Sequence, residues 1–197
     1  MYEITKATFL RWSQNRIYHQ VFKGDGLHIN PGDDPIKAKN FPCVDSVDRI
    51  TLTPLTIEKD KLEEKLENKQ YDFVFAGNIA GYEDEPLEVI KHYLKAVKPK
   101  GHLILTFPDE DLYEQGNFPS IFNPGHKKTF SIYKQESWSG KHYNILDIID
   151  NIDEASCRKI ELVDTNYNYS LIGSGVDQTI QFTDGVEAVI ELILKKY

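Results

Sequence analysis

Two stretches of this chain are apolar almost throughout: YDFVFAG, residues 71–77, and HLILTF, residues 102–107. Strands of that composition are buried on both faces, as in a parallel sheet covered by helices. Between them lies EPLEVIKHYLKAV, residues 85–97. Its Leu87, Ile90, Leu94 and Val97 recur at helical spacing, and Pro86 sits in the first turn, where its missing N–H costs little. Lys98, Lys100 and Gly101 are expected to close that helix. Strand, helix, strand in this rhythm predicts right-handed βαβ units. The fold class is therefore α/β, with a Rossmann-like, mostly parallel twisted sheet carrying helices on both faces.

The flanking segments fit that plan. Residues 5–21 read as one N-terminal helix with Ala7, Leu10, Ile17 and Val21 in its apolar stripe, ended by Gly24 and Gly26. GLHIN is a short strand, FPCVDSV (41–47) a second, and RITLTPL (49–55) a further one in which Pro54 restricts pairing. TIEKDKLEEKLENK is a charged helix that Thr56 caps. YNILDIIDNI reads as a short helix, and RKIELVDTNYNYSLIG and VEAVIELILKK as a final strand pair. In the last, Val186, Ala188, Ile190, Leu192 and Leu194 alternate with Glu187 and Glu191, which favours a strand over a helix. Residues 109–142 differ: they are rich in Gly, Pro, Asn, Ser and aromatics, with little periodicity, as expected of a lid or substrate-binding region. The expected organisation is one domain over residues 1–197, with an N-terminal helix in 1–22.

The chain carries 23 basic and 31 acidic residues in 197, a net charge of −8. An acidic surface repels phosphate backbones, so nucleic acid is excluded as the default partner; Lys127–Lys128 is the one tight basic pair near a plausible site. Cys43 and Cys157 are far apart and lack metal spacing, which fits a reducing compartment. No stretch reaches the ~18 apolar residues of a membrane span, and the N-terminus lacks a long apolar run. The expectation is a cytoplasmic protein with a small-molecule substrate, no membrane partner and no metal.

In open parallel sheets ligands bind beyond the carboxyl ends of the strands, where the strand order reverses. The loops after residues 30, 45, 77 and 107 are therefore the ones to read. There the chain resembles the class I S-adenosylmethionine-dependent methyltransferases of the small single-domain type, over about residues 20 to 197. GDGLHINPGDDPI stands where that family has G-x-G-L-D-I-G-C-G-x-x-P-I. YDFVFAGNIAGYEDEPLEVIKHYLKAVKPKGHLILTFPDEDLY resembles its strand, helix, L-K-P-G-G turn and strand ending in P-D. FNPGHKKTFS resembles its N-x-x-H-x-x-x-F-[ST] segment. The resemblance implies an antiparallel C-terminal strand and S-adenosylmethionine (SAM) as cofactor, held by the first loop.

That loop departs from the pattern. The family's strand-one Asp is His28, its first loop Gly is Asn30, its Cys is Pro31, and Gly32 alone keeps the G-C-G core. Asn tolerates positive φ better than most residues, whereas Pro fixes φ and removes a donor. Losing a carboxylate at 28 weakens attraction for a cationic ligand, an effect that Asp33, Asp34 and Asp45 partly offset. The resemblance implies Asp45 for the ribose hydroxyls, since one carboxylate accepts from both. The family's post-strand-four histidine is Asn78.

The candidate cofactor residues are thus His28, Asn30, Gly32, Asp45 and Asn78. His126 and Asp109 are the candidate catalytic groups. An imidazole titrates near working pH and takes a proton as a methyl group moves. Asp109 and Asp111 lie just past a parallel strand; the plainer expectation is that one caps the next turn. For His28 and His126 the plainer expectations are a core histidine and a loop histidine bonded to backbone. Tyr113, Phe118, Phe122, Phe130, Tyr133 and Trp138 either wall a pocket or form core under a long loop. Methyl transfer asks mainly for in-line positioning, so it needs no catalytic motif. The favoured function is SAM-dependent methylation of a small polar acceptor such as a sugar or other metabolite. The alternative is a non-catalytic binding or partner-regulating module of the same fold. A nicotinamide oxidoreductase is excluded, because no G-x-G-x-x-G follows the first strand.

Overall fold

The two apolar runs form the centre of a mixed sheet. The computed structural model describes residues 6–31, 36, 50–55, 69–180 and 185–197. Two helices, α1 (Lys6–Gln14) and α2 (Arg16–Val21), precede strand β1 (Gly24–Ile29). Strands β2 (Ile50–Leu55) and β3 (Tyr71–Gly77), a 3-10 turn over Ile79–Tyr82, helix α3 (Pro86–Lys95) and strand β4 (Val97–Pro108) follow. Short strands β5 (Thr129–Ser131) and β6 (His142–Asn144), helix α4 (Ile145–Asp150), and strands β7 (Ala155–Val163) and β8 (Val189–Lys196) complete the order. The main sheet runs β2-β1-β3-β4-β8-β7, while β5 and β6 pair separately. β1 is parallel to β2 and β3, and β3 to β4; β8 is antiparallel to both β4 and β7. The α/β class, the mostly parallel sheet and the antiparallel C-terminal strand agree with the sequence reading.

Alternation along the strands assigns each face its helices. Leu27, Val74, Leu103, Leu105 and Leu192 pack with Ile90 and Leu94 of α3 and Ile145 of α4. Phe73, Phe75, Ile104 and Ile193 point the other way, onto Trp12, Tyr18 and Phe22 at the N-terminus. Each such large apolar side chain contributes roughly 1.5–3 kcal/mol on burial. Gly26 is a packing requirement: a Cβ there would lie 2.1 Å from the Phe73 ring.

Several boundaries differ from expectation. The single N-terminal helix is two, because Asn15 takes extended backbone and caps α2 by accepting from the Ile17 N–H. Leu10 is exposed, and Trp12 and Tyr18 supply the buried stripe instead. Gly24 and Gly26 belong to β1 rather than ending a helix. Lys98, Lys100 and Gly101 do not close α3: the chain enters β4 at Val97, and the register shifts between Tyr71 and Phe73 to absorb the irregular start. A Cβ on Gly101 would meet the Asp72 carbonyl at 2.6 Å, so the bulge depends on that glycine. β7 ends at Val163, and DTNYNY is turn and 3-10 structure. β2 is one of the two edge strands among the described strands, a position a proline tolerates. The strand expected over 41–47 and, but for Lys69, the helix over 56–69 lie outside the described residues. No helix among the described residues is long and apolar enough to cross a membrane.

The polar face of β8 is a finding in itself. Glu191 is fully buried and accepts hydrogen bonds from Trp12 Nε1 (3.1 Å), Arg11 (2.9 Å), Lys159 (2.8 Å) and the Tyr18 hydroxyl. Glu187 accepts from Arg11 and from Thr8 Oγ1 (2.8 Å). A charged network therefore ties α1 to the last strand. Burial pushes the Glu191 carboxyl up, but Arg11 and Lys159 outweigh it and hold the group below its ordinary range.

Candidate active site

The strand order reverses between β1 and β3, so the crevice beyond their carboxyl ends is where a ligand is expected. Ile29 pairs with Ala76 there. The next residue on β1 is Asn30, and the residue after Gly77 on β3 is Asn78. Both have left-handed backbone, with φ of 46° and 52°. Each strand thus turns sharply, one step of the register apart, as glycine would permit. Asn78 is buried; its N–H donates to the Thr106 carbonyl (2.9 Å), and Thr106 Oγ1 donates to its Oδ1 (3.4 Å).

His28 lies inside the core rather than in the crevice. Its ring meets Phe75 edge-on at 5.0 Å, and its Nδ1 accepts from the Ile36 N–H at 3.2 Å. The imidazole therefore anchors the far end of the loop that Asn30 begins. Gly32 and Asp45, with Asp33 and Asp34, lie outside the described residues.

Beyond β4 the chain makes a tight turn. Asp109 Oδ1 accepts from the N–H groups of Asp111 (3.1 Å) and Leu112 (3.0 Å), so Asp109 is the turn cap. The turn is clamped at its base: Asp109 N–H donates to the Ala188 carbonyl and Glu110 N–H to Phe130. Asp109 is buried, and burial pushes its carboxyl up to about 6, the effect of the two N–H donors being opposed by the neighbouring charge of Asp111. Lys134 Nζ binds Asp111 (2.5 Å) and Glu110 (3.1 Å).

This turn borders a cavity of about 310 Å³. Its floor is Leu112, Ile132 and Leu162, and Asp109, Asp111 and Lys134 supply charge. Tyr133, Tyr169 and Ile172 form the rim and are well exposed. A second cavity of about 340 Å³, bordered by Gly24, Asp72 and Gly101, opens at the opposite, amino-terminal ends of β1 and β3, away from the crevice.

His126 joins the segments that follow β3 and β4. Its Nδ1 lies 2.7 Å from Glu114 Oε1, with both side chains wholly buried. The ring packs between Tyr82 (5.1 Å) and Tyr113 (5.3 Å). Lys127 N–H donates to the Gly81 carbonyl, fastening the two segments together. His126 Nε2 and Glu114 Oε2 have no hydrogen-bond partner among the described residues.

The structure therefore gathers Asn30 and Asn78 at the crevice, Asp109 at the neighbouring cavity, and His126 in a buried pair beside the post-β3 turn. Of the aromatics, Tyr113 and Phe130 are core, whereas Tyr133 forms cavity rim and Trp138 bonds Asp111 through Nε1 (3.3 Å). Lys127 is paired with Asp84, and Lys128 lies over the Tyr143 ring. Sequence reasoning missed Glu114, Lys134 and Tyr169. Glu114 is one acid in the run DEDLYE, and nothing local marks it as a partner of a histidine twelve residues on. The described residues hold no group of three or more His, Cys, Asp and Glu suited to a metal ion.

Among solved structures the chain is similar to a SAM-dependent methyltransferase from Archaeoglobus fulgidus, at 16% identity and a TM-score of 0.55, covering 99% of this chain and 96% of that one. It is similar to the plantazolicin methyltransferase BpumL in complex with a triazolic substrate analogue and S-adenosylhomocysteine (16% identity, TM-score 0.53, covering 97% and 84%). It is also similar to the N-methyltransferase NodS of Bradyrhizobium japonicum WM9 bound to S-adenosylhomocysteine (12% identity, TM-score 0.51, covering 97% and 85%). No protein-family model matches the chain, and no curated protein matches it. At these identities the likeness shows the fold, that of the class I SAM-dependent methyltransferases.

Proposed function

We propose that this chain, folded as a class I SAM-dependent methyltransferase, binds SAM and methylates a small polar metabolite. The observation that carries the reading is the pair of left-handed asparagines at the carboxyl ends of β1 and β3, where the strand order reverses. The loop has lost glycines but kept, at Asn30, the backbone conformation a glycine would provide. His28 keeps an acceptor where the resembling family has a carboxylate, and uses it to hold the Ile36 N–H. Support also comes from the structural neighbours in complex with S-adenosylhomocysteine.

In this reading Asn30 and Asn78 bring backbone close to the cofactor, Gly32 continues the cradle, and Asp45 accepts from the ribose hydroxyls. The cofactor supplies a methyl group already activated on a sulfonium. What remains for the protein is to align the acceptor and remove its proton. Asp109 suits the second task. Its Oδ1 is occupied by two backbone donors, the residue lines the cavity, and a carboxyl raised to about 6 is a better base than an ordinary one. His126 is held by Glu114 with its Nε2 enclosed, so it acts as a proton acceptor only when the Tyr82 side of its pocket opens.

Calorimetric titration with SAM and S-adenosylhomocysteine, repeated on Asp45→Ala, tests the proposal. About micromolar binding, weakened in the variant, is the expected result. Folded protein that binds neither compound up to about millimolar would contradict it and favour a non-catalytic module of the same fold.

A further inference from the structure

We infer that the cavity beside Asp109 takes a small organic ammonium ion with a flat, largely apolar body. Most polar side chains of the cavity lining are already engaged. Ser131 Oγ is 2.8 Å from His142 Nε2, Lys134 is bound to Asp111 and Glu110, and Tyr169 donates its hydroxyl to Asp164 (2.5 Å). Asp111 Oδ1 also accepts from Trp138. Asp109 and Asp111 both use only Oδ1 for their bonds, and of the two Asp109 is the buried one, 6% exposed and lining the cavity.

A polyhydroxylated ligand needs many open donors and acceptors, and the cavity does not offer them. An anion would face Asp109 and Asp111 together, with Lys134 already committed to Asp111 and to Glu110 behind it. The remaining chemistry suits a cation: the Asp109 carboxylate for its head, and exposed aromatic rings for its body. Tyr133 and Tyr169 are 79% and 53% exposed at the rim, over a floor of Leu112, Ile132 and Leu162. Aromatic faces attract organic ammonium ions, more strongly once water is excluded. Exposed rings around a concave apolar floor are a binding signature rather than ordinary surface.

The probes are tyramine, which has this shape and charge, and 4-ethylphenol, the same body without the ammonium. Each is titrated calorimetrically into the full chain, alone and with saturating S-adenosylhomocysteine. Tyramine is expected to bind saturably, about ten-fold or more tightly than 4-ethylphenol. Asp109→Asn keeps the Oδ1 acceptor of the turn and is expected to abolish the difference between the two probes. Tyr169→Leu is expected to weaken both, with the urea midpoint showing that each variant is folded. Equal affinity for the two probes, an unchanged preference in Asp109→Asn, or no saturable tyramine binding would overturn the inference. Protein that binds S-adenosylhomocysteine but not tyramine loses only the ammonium site. Protein that binds tyramine but not S-adenosylhomocysteine loses the methyltransferase reading instead.

Discussion

Asn30 and Asn78 follow two adjacent parallel strands and leave them one register step apart with the same left-handed turn, φ 46° and 52°. For a residue with a Cβ that conformation costs roughly 1–2 kcal/mol, and asparagine bears it better than most. Asn30→Gly should therefore fold normally and retain S-adenosylhomocysteine binding, whereas Asn78→Gly keeps the turn but loses the buried bond to Thr106, at about 0.5–1.5 kcal/mol. Asn30→Val should lose about 1–2 kcal/mol of stability and most of the binding, because a β-branched residue resists positive φ. Urea denaturation and calorimetry on the same variants check both halves; a valine variant that binds like the parent would remove the backbone argument.

Glu191 holds α1 to the sheet. Glu191→Ala removes the buried carboxylate shared by Arg11 and Lys159, leaving Arg11 with Glu187 and Lys159 with Glu161, and should cost about 3 kcal/mol. The folded carboxyl lies below its ordinary range, so this stabilisation is present above the unfolded-state value and disappears as pH falls through the folded one. Parent and variant should accordingly converge in stability under acid conditions, as followed by urea midpoints from neutral pH downward.

Much of this fold was legible in the sequence, for reasons that single residues make clear. The runs 71–77 and 102–107 read as buried strands because the protein covers both their faces. The alternation from Val186 to Leu194 read as a strand because its apolar residues share one face, although the strand itself begins at Val189. What alternation could not show was where Glu187 and Glu191 point: both meet Arg11, some 180 residues away in sequence. Helix periodicity also ran through Asn15, since a cap inside a helical pattern shows only in its backbone. At the site, the loop positions were legible because ligands gather at the strand ends. The roles of individual side chains were not, because Glu114, Lys134 and Tyr169 acquire theirs only through tertiary contact.

Glu114 and His126 form a wholly buried pair 2.7 Å apart. Removing one member strands the other, so Glu114→Ala should cost about 1–3 kcal/mol. Replacing both, as Glu114→Leu with His126→Phe, should cost less than the sum of the two single changes. A double-mutant cycle measures this directly, with an expected coupling of about 0.5–3 kcal/mol. Strict additivity would mean that the pair is coincidental.

Asp109 makes the opposite pH prediction to Glu191. Its carboxyl is raised to about 6, mainly by burial, with Asp111 and Glu110 acting in the same direction and the Leu112 and Asp111 N–H groups against. Between its ordinary value and about 6 the folded chain holds a proton that the unfolded chain has released. Stability contributed by Asp109 therefore falls as pH rises through that window, by on the order of 3 kcal/mol, and is level above it. Comparing urea midpoints of parent and Asp109→Asn across the window isolates the effect; a constant difference between them would show that the carboxyl titrates normally.

The central claim is that S-adenosylhomocysteine binds between the carboxyl ends of β1 and β3. The most direct measurement is the backbone amide NMR spectrum of the isotope-labelled chain with and without that compound. The account predicts that the amides of Asn30 and Asn78 shift saturably, while those at the opposite ends of the strands, such as Gly24 and Asp72, stay in place. Shifts clustered at Gly24, Asp72 and Gly101, or no shifts at all from folded protein, would contradict it.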